Sequence, residues 1–185
     1  MARIKSPEKR SAILVAAVHE IAEVGLGAPT AKIAKRAGVA AGTLFTYFPN
    51  KEELLNELYL ELKAEVYTRV NSNFPHKGSL ERRARHIWSS TLEWTIEFPE
   101  KRKVSAQLNV SDLITPETRM RAAGGRATID TTLSQLGIRT GLPAGFAAAI
   151  MSAMQEATTE LITKHPKQRK DLIEQAFHVF WRGLR

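Results

Sequence analysis

The chain is predicted to be all-α. Apolar residues recur at helical spacing along most of its length, and caps, prolines and glycines punctuate that spacing. Neither alternating apolar runs nor an Asn-Gly or Asp-Gly hairpin signal occurs. About nine helices follow. Residues 1–50 are expected to form a three-helix amino-terminal domain with helix-turn-helix spacing, and residues 51–185 a larger helical domain.

The first helix is predicted to start at Ser6 as N-cap, with Pro7 at its first position and Glu8 complementing the dipole. It should stop near Gly25. Along it Ile13, Ala17, Ile21 and Val24 form one face, widened by Leu14 and Val18. Thr30 is the next N-cap candidate, opening a short helix to Ala37, where Gly38 permits a tight exit. A second short helix runs to Phe48 and is closed by Pro49. Asn50 with Glu53 resembles a capping box for a long helix through about Val70. Pro75 and Gly78 break the chain, and Ser79 restarts a helix that Pro99 interrupts. A shorter one spans about Glu100 to Val110. Thr115, Pro116 and Glu117 start a helix expected to persist to about Leu136 despite Gly124 and Gly125. A glycine-rich connection from Gly137 to Gly145 precedes the two terminal helices, Phe146 to Lys164 and Lys167 to Leu184, separated by His165 and Pro166.

The 185 residues are 43% hydrophobic and 25% charged, an ordinary globular balance that argues against disorder. The absence of cysteine excludes a cysteine nucleophile, a thiolate zinc site and a disulfide framework, and fits a reducing compartment. Basic residues before the apolar run Ala12–Val18 imitate a secretory leader, but His19, Glu20 and Glu23 follow at once with no small-residue cleavage site. Nowhere do about 18 apolar residues run together, so no membrane partner is expected and the location should be cytoplasmic.

Charge is unevenly distributed. Up to Lys51, eight basic residues face three acidic ones, so this short segment holds +5 of the net +8. Such a concentration suits phosphate neutralisation, in which each contact releases condensed counterions. Within the segment, two short helices meet at a glycine turn. Ile33, Ala34 and Ala37 on the first, with Val39 and Leu44 on the second, are predicted to pack against the Ile13/Ala17/Ile21 face. The opposite side, bearing Ala41, Gly42, Thr43, Thr46 and Tyr47, is left for a DNA major groove.

This stretch resembles the tetracycline-repressor (TetR) family of bacterial transcriptional regulators. The likeness is densest from Thr30 to Leu55, in Ile33-Ala34, Ala37-Gly38-Val39, Gly42-Thr43-Leu44-Phe45, Tyr47-Phe48 and Lys51-Glu52-Glu53-Leu54, and extends back to Ile13. Beyond it, the likeness lies only in helix count and length. The resemblance implies that Thr30 binds phosphate, that Ala41, Gly42, Thr43 and Thr46 read bases, and that Tyr47 and Lys51 hold phosphates. The small side chains favour thymine methyls and close backbone approach over bidentate hydrogen bonds. Phe45 stands where the family usually has tyrosine, and with Phe48 it is expected to anchor the core. Arg3 and Lys5 are candidates for a minor-groove arm.

The last two helices carry more apolar surface than one core requires. Phe146, Ile150, Met154, Ala157 and Leu161 make one stripe, Ala147, Met151, Thr158 and Ile162 another, and Ile173, Ala176, Phe177, Phe180 and Leu184 continue the pattern. The resemblance implies a homodimer through these helices, presenting two recognition helices to a palindromic operator in double-stranded DNA. It also implies a small-molecule effector of unknown identity, for which Trp88, Thr91, Thr95, Met120, Met151 and Gln155 are the candidate binding residues. A repressor is the simpler expectation, because blocking polymerase needs no activating surface. The alternative is a DNA-binding protein of the same fold without an inducer, its larger domain serving dimerisation or protein contacts.

An enzyme is not expected. His19-Glu20-Ile21-Ala22-Glu23 ends in glutamate where a zinc-protease helix needs its second histidine. His76, His86, His165 and His178 lack ligand spacing, and Gly124-Gly125 lacks the partners of a phosphate loop. No catalytic residue, metal or cofactor is called for.

Overall fold

A computed structural model describes residues 6–184. Among them lie ten α-helices, two short 3-10 turns and no strand. The helices are α1 (Pro7–Val24), α2 (Thr30–Arg36), α3 (Ala41–Tyr47), α4 (Lys51–Asn71), α5 (Leu80–Glu97), α6 (Pro99–Asn109), α7 (Pro116–Ala123), α8 (Ala127–Thr140), α9 (Phe146–Lys164) and α10 (Arg169–Gly183). The expected arm residues Arg3 and Lys5 lie outside the described residues.

Four of the ten starts are set by a side-chain cap. The Ser6 hydroxyl accepts the Lys9 amide at 3.3 Å, with Pro7 in the first turn. Asn50 Oδ1 accepts the Glu53 amide at 2.7 Å, and Ser79 and Thr115 hydroxyls each accept the amide three residues on, at 3.2 Å. Each satisfies a donor that the first helical turn leaves without a carbonyl partner. Thr30 departs from expectation: Pro29 holds the N-cap position, without a side-chain cap, and Thr30 is the first helical residue.

The helix expected from Pro116 to Leu136 is two helices. A 3-10 turn, Gly124–Arg126, separates α7 from α8, which runs on to Thr140. Two glycines weaken a helix through backbone entropy, and one of them faces a crowded site. A Cβ at Gly125 would stand 2.7 Å from the Tyr67 ring.

The chain divides into two compact units, one of the described residues up to Lys63 with Phe98–Ala122, the other of Ala64–Glu97 with the described residues from Ala123 onward. Residues 51–63 and 98–122 thus pack with the amino-terminal segment rather than with the rest of residues 51–185. In the first unit α1 lies against α2 and α6, and α2 against α3. Its buried residues include Ile13, Ala17, Ile21, Ile33, Ala34, Leu44, Phe48, Leu54, Leu58, Val104 and Leu108. Asn56, buried on α4, ties in the loop before α7: its amide donates to Leu113 O at 2.9 Å, and its carbonyl accepts Thr115 N–H at 3.0 Å. Lys103 donates to Ala22 O at 2.6 Å, capping α1 from α6.

The second unit is built on aromatic side chains. Trp88 of α5 stacks on Phe180 of α10 at 5.9 Å and meets Phe177 edge-on at 6.0 Å. Ile87, Leu92, Leu133, Leu136, Ala147, Met151 and Trp181 are among the other members of the cluster. The stripes of α9 separate as their spacing allows: Ala147, Met151, Thr158 and Ile162 face the core, while Phe146, Ala157 and Leu161 are exposed. No helix among the described residues is long and apolar enough to cross a membrane.

Candidate nucleic-acid interface

The turn between α2 and α3 positions the interface. Gly38, at φ +68°, donates to Lys35 O at 3.1 Å, and Val39 donates to Ala34 O at 3.0 Å. This paired closure satisfies the last carbonyls of α2 and needs a left-handed residue, which glycine adopts without steric cost. α3 then leaves the turn with Leu44 and, just beyond its end, Phe48 buried. Ala41, Gly42, Phe45 and Thr46 are exposed together, while Thr43 and Tyr47 are half-buried at the edges of that face.

Phe45 corrects a sequence expectation. It is 43% exposed and anchors nothing, whereas Phe48 does belong to the core. The positions one turn apart, 41 with 45 and 42 with 46, fall on the outward side once Leu44 takes the inward one.

Polar groups at the interface have defined partners. Tyr47 Oη accepts the Ser6 amide at 2.9 Å, so its own hydrogen remains to donate outward. The Thr46 hydroxyl donates to Gly42 O at 3.1 Å, back along its own helix. Thr30 and Lys51 each occupy the first position of a helix and are half-buried. The amides there lack carbonyl partners within their helices and face the positive end of the helix dipole.

The basic residues divide into two sets that the sequence did not separate. Arg36 binds Glu20 at 2.6 Å and Glu23 at 2.9 Å, bracing α2 against α1, and Arg10 binds Glu57 of α4 at 2.5 Å. The Glu20 carboxylate, itself buried, holds the Arg36 guanidinium above its ordinary value. These two cations serve the fold. Lys9, Lys32, Lys35 and Lys51 make no ion pair among the described residues and remain available to phosphate. A cation's freedom depends on which carboxylates the fold brings to it, and no sequence signal marks that.

The candidate ligand residues do not all converge. Trp88, Thr91 and Thr95 on α5 and Met151 and Gln155 on α9 share the second unit. Trp88 Nε1 donates to Ile173 O at 3.0 Å, Gln155 donates to Trp88 O at 3.3 Å, and the Thr95 hydroxyl donates to Leu92 O at 2.9 Å. Met120 lies on α7 in the first unit and is 67% exposed. Among the described residues no three histidine or acidic side chains cluster as metal ligands would.

A helix-turn-helix whose second helix faces solvent, in a segment with four lysines free of ion pairs among the described residues, is the arrangement of a DNA-binding module. Residues 13–58 match the model of the bacterial regulatory proteins of the tetR family. A fatty acid metabolism regulator protein of Bacillus subtilis is 41% identical over 68 residues, which are 36% of this chain and 35% of that protein, so the match spans about a third of the relative's length. A TetR-family transcription regulator from Shewanella sp. PV-4 is similar over 95% of this chain and 97% of its own, at TM-score 0.82 and 28% identity. The transcriptional regulator FadR from Bacillus subtilis, solved in complex with stearoyl-CoA, is similar over 92% and 95%, at TM-score 0.70 and 25% identity. Residues 13–58 thus match the tetR family of bacterial regulatory proteins, and the chain as a whole is similar in fold to TetR-family transcription regulators.

Proposed function

We propose that this regulator binds a palindromic operator as a homodimer and is a repressor released by a small-molecule effector. The exposed face of α3 carries the reading: it belongs to a module whose Ile13, Ala17, Ile21, Ile33, Leu44 and Phe48 are buried and whose Lys9, Lys32, Lys35 and Lys51 make no ion pair among the described residues. Ala41, Gly42, Thr43 and Thr46 would meet bases, and Thr30, Tyr47 and Lys51 phosphates. Residues 1–50 supply this reading head, and residues 51–185 the dimer and effector functions.

Dimerisation through α9 and α10 is supported by apolar side chains on both that the core leaves uncovered, including Phe146, Leu161 and, on α10, Val179 at 64% exposure. Two copies related by a two-fold axis would set their recognition helices about 34–36 Å apart, one turn of DNA. An effector site would draw on Trp88, Thr91, Thr95, Met151 and Gln155, with Met120 left out by its position. The bound stearoyl-CoA of the similar FadR makes long-chain acyl-CoA the first probe to try.

The effector-free reading has its own support, because Trp88 and Thr95 already spend their side-chain donors within the fold and Gln155 spends one of its two.

The test is selection of bound DNA from a random pool with wild type, Tyr47→Ala and Lys51→Ala. A palindrome should be enriched by wild type, and both variants should bind it more weakly across all sequences. Lys51→Ala should reduce the slope of log affinity against log salt by about one. Titrating the operator complex with acyl-CoA then separates the two readings, since ligand-induced release requires different affinities in two states. Failure to enrich any sequence would sink the proposal.

A further inference from the structure

Phe45 is the one large side chain on the outward face of α3, and no base or phosphate role above uses it. It sits one turn after Ala41 on a helix whose side chains lean toward the amino end, so the ring is directed over the turn carrying Ala41 and Gly42. Neither can cover it, and a Cβ built at Gly42 would meet nothing within 4 Å. The face around it is poor in donors. Ala41, Gly42 and Phe45 have no side-chain polar atom, and the Thr46 hydroxyl spends its hydrogen on Gly42 O. Only Thr43, at the edge, retains a hydroxyl without a partner in the fold.

A hydrocarbon surface in the major groove cannot use the donor and acceptor pattern of a base pair, but it can use the thymine C5-methyl group, the apolar mark displayed there. We infer that Phe45 is a specificity-determining residue, reading the methyl of one thymine in each operator half-site. The inference rests on the DNA-binding reading above. It adds a base contact at a position that sequence reasoning assigned to the core.

The experiment replaces each thymine of the selected operator, one at a time, by deoxyuridine, which keeps base pairing and removes only the methyl. Affinity is measured for the full chain as wild type, Phe45→Ala and Phe45→Leu. At one thymine per half-site, wild type should lose about three- to fivefold, the worth of one buried methyl, and about ten- to twentyfold when both half-sites are changed. Phe45→Ala should bind thymine and uracil there alike, while Phe45→Leu keeps most of the discrimination. Because Phe45 is exposed, Phe45→Ala should keep the wild-type melting temperature, which separates lost contact from lost fold. If every uracil substitution costs wild type and Phe45→Ala the same, the inference is overturned while the operator remains. If wild type enriches no sequence, the reading beneath it falls, and the inference with it.

Discussion

The two compact units bury their apolar residues in different ways. The amino-terminal unit relies on small and branched side chains, with Ala17, Ala28 and Ala34 fully or almost fully buried beside Ile13, Ile21, Ile33 and Leu44. The carboxy-terminal unit relies on ring against ring, Trp88 with Phe177 and Phe180, and Phe177 with Trp181. Small residues let short helices cross closely, so a seven-residue helix such as α3 can be held by Leu44 and Phe48 and still give away one whole side. Large rings fill the wider spaces between long helices and concentrate the packing energy in a few positions.

The contrast is tested most severely by truncating the central side chain of each unit. Trp88→Ala should cost about 3–5 kcal/mol and Leu44→Ala about 2–4 kcal/mol, read by chemical denaturation of the full chain. Leu44→Ala should also abolish operator binding, because it frees α3. A Trp88→Ala cost no larger than that of Leu44→Ala would break the comparison.

A smaller effect sharpens it at the diglycine. Gly125→Ala should destabilise by about 1–2 kcal/mol, since the new methyl meets the Tyr67 ring. Gly124→Ala meets nothing and should be neutral or stabilise by up to about 1 kcal/mol. Equal effects at the two positions would show that backbone entropy alone splits the helix.

At the start of α1, Ser6→Ala should cost about 1 kcal/mol by removing the N-cap. The least effect is a pH dependence. The Ser6 hydroxyl donates to the Glu8 carboxylate at 2.6 Å and holds its pKa below the ordinary glutamate value. A depressed folded value means that the contribution is present above the unfolded value and is lost as pH falls through the folded one. An NMR titration should therefore place the Glu8 midpoint below that of a free glutamate, and Ser6→Ala should move it back up.

Helix boundaries were legible because their causes are local. Ser6, Asn50, Ser79 and Thr115 each bond an amide three residues away, and Gly38 adopts its turn whatever packs around it. The helix-turn-helix was legible for the same reason, its glycine, its alanines and its buried Leu44 all lying within one short stretch. Thr30 was misplaced by a single residue, since proline holds the N-cap position where a hydroxyl was expected.

What depended on distant partners could not be read in this way. Phe45 and Phe48 are both phenylalanines on one short segment, and the rotation of α3 together with the extended backbone at Phe48, just past its end, exposes the first and buries the second. Arg36 and Lys35 are adjacent cations, yet Glu20 and Glu23 of α1 claim only the first. Met120 and Met151 were both candidates for an effector site, but α7 packs with the amino-terminal unit and leaves Met120 in solvent, whereas Met151 is buried. The sequence by itself determined the fold class, many helix ends and the helix-turn-helix, because caps, turns and periodicity act within a few residues. Tertiary structure alone decided which cations stay free, which phenylalanine faces outward and which unit residues 98–122 join, because each of these is set by groups far apart in the chain.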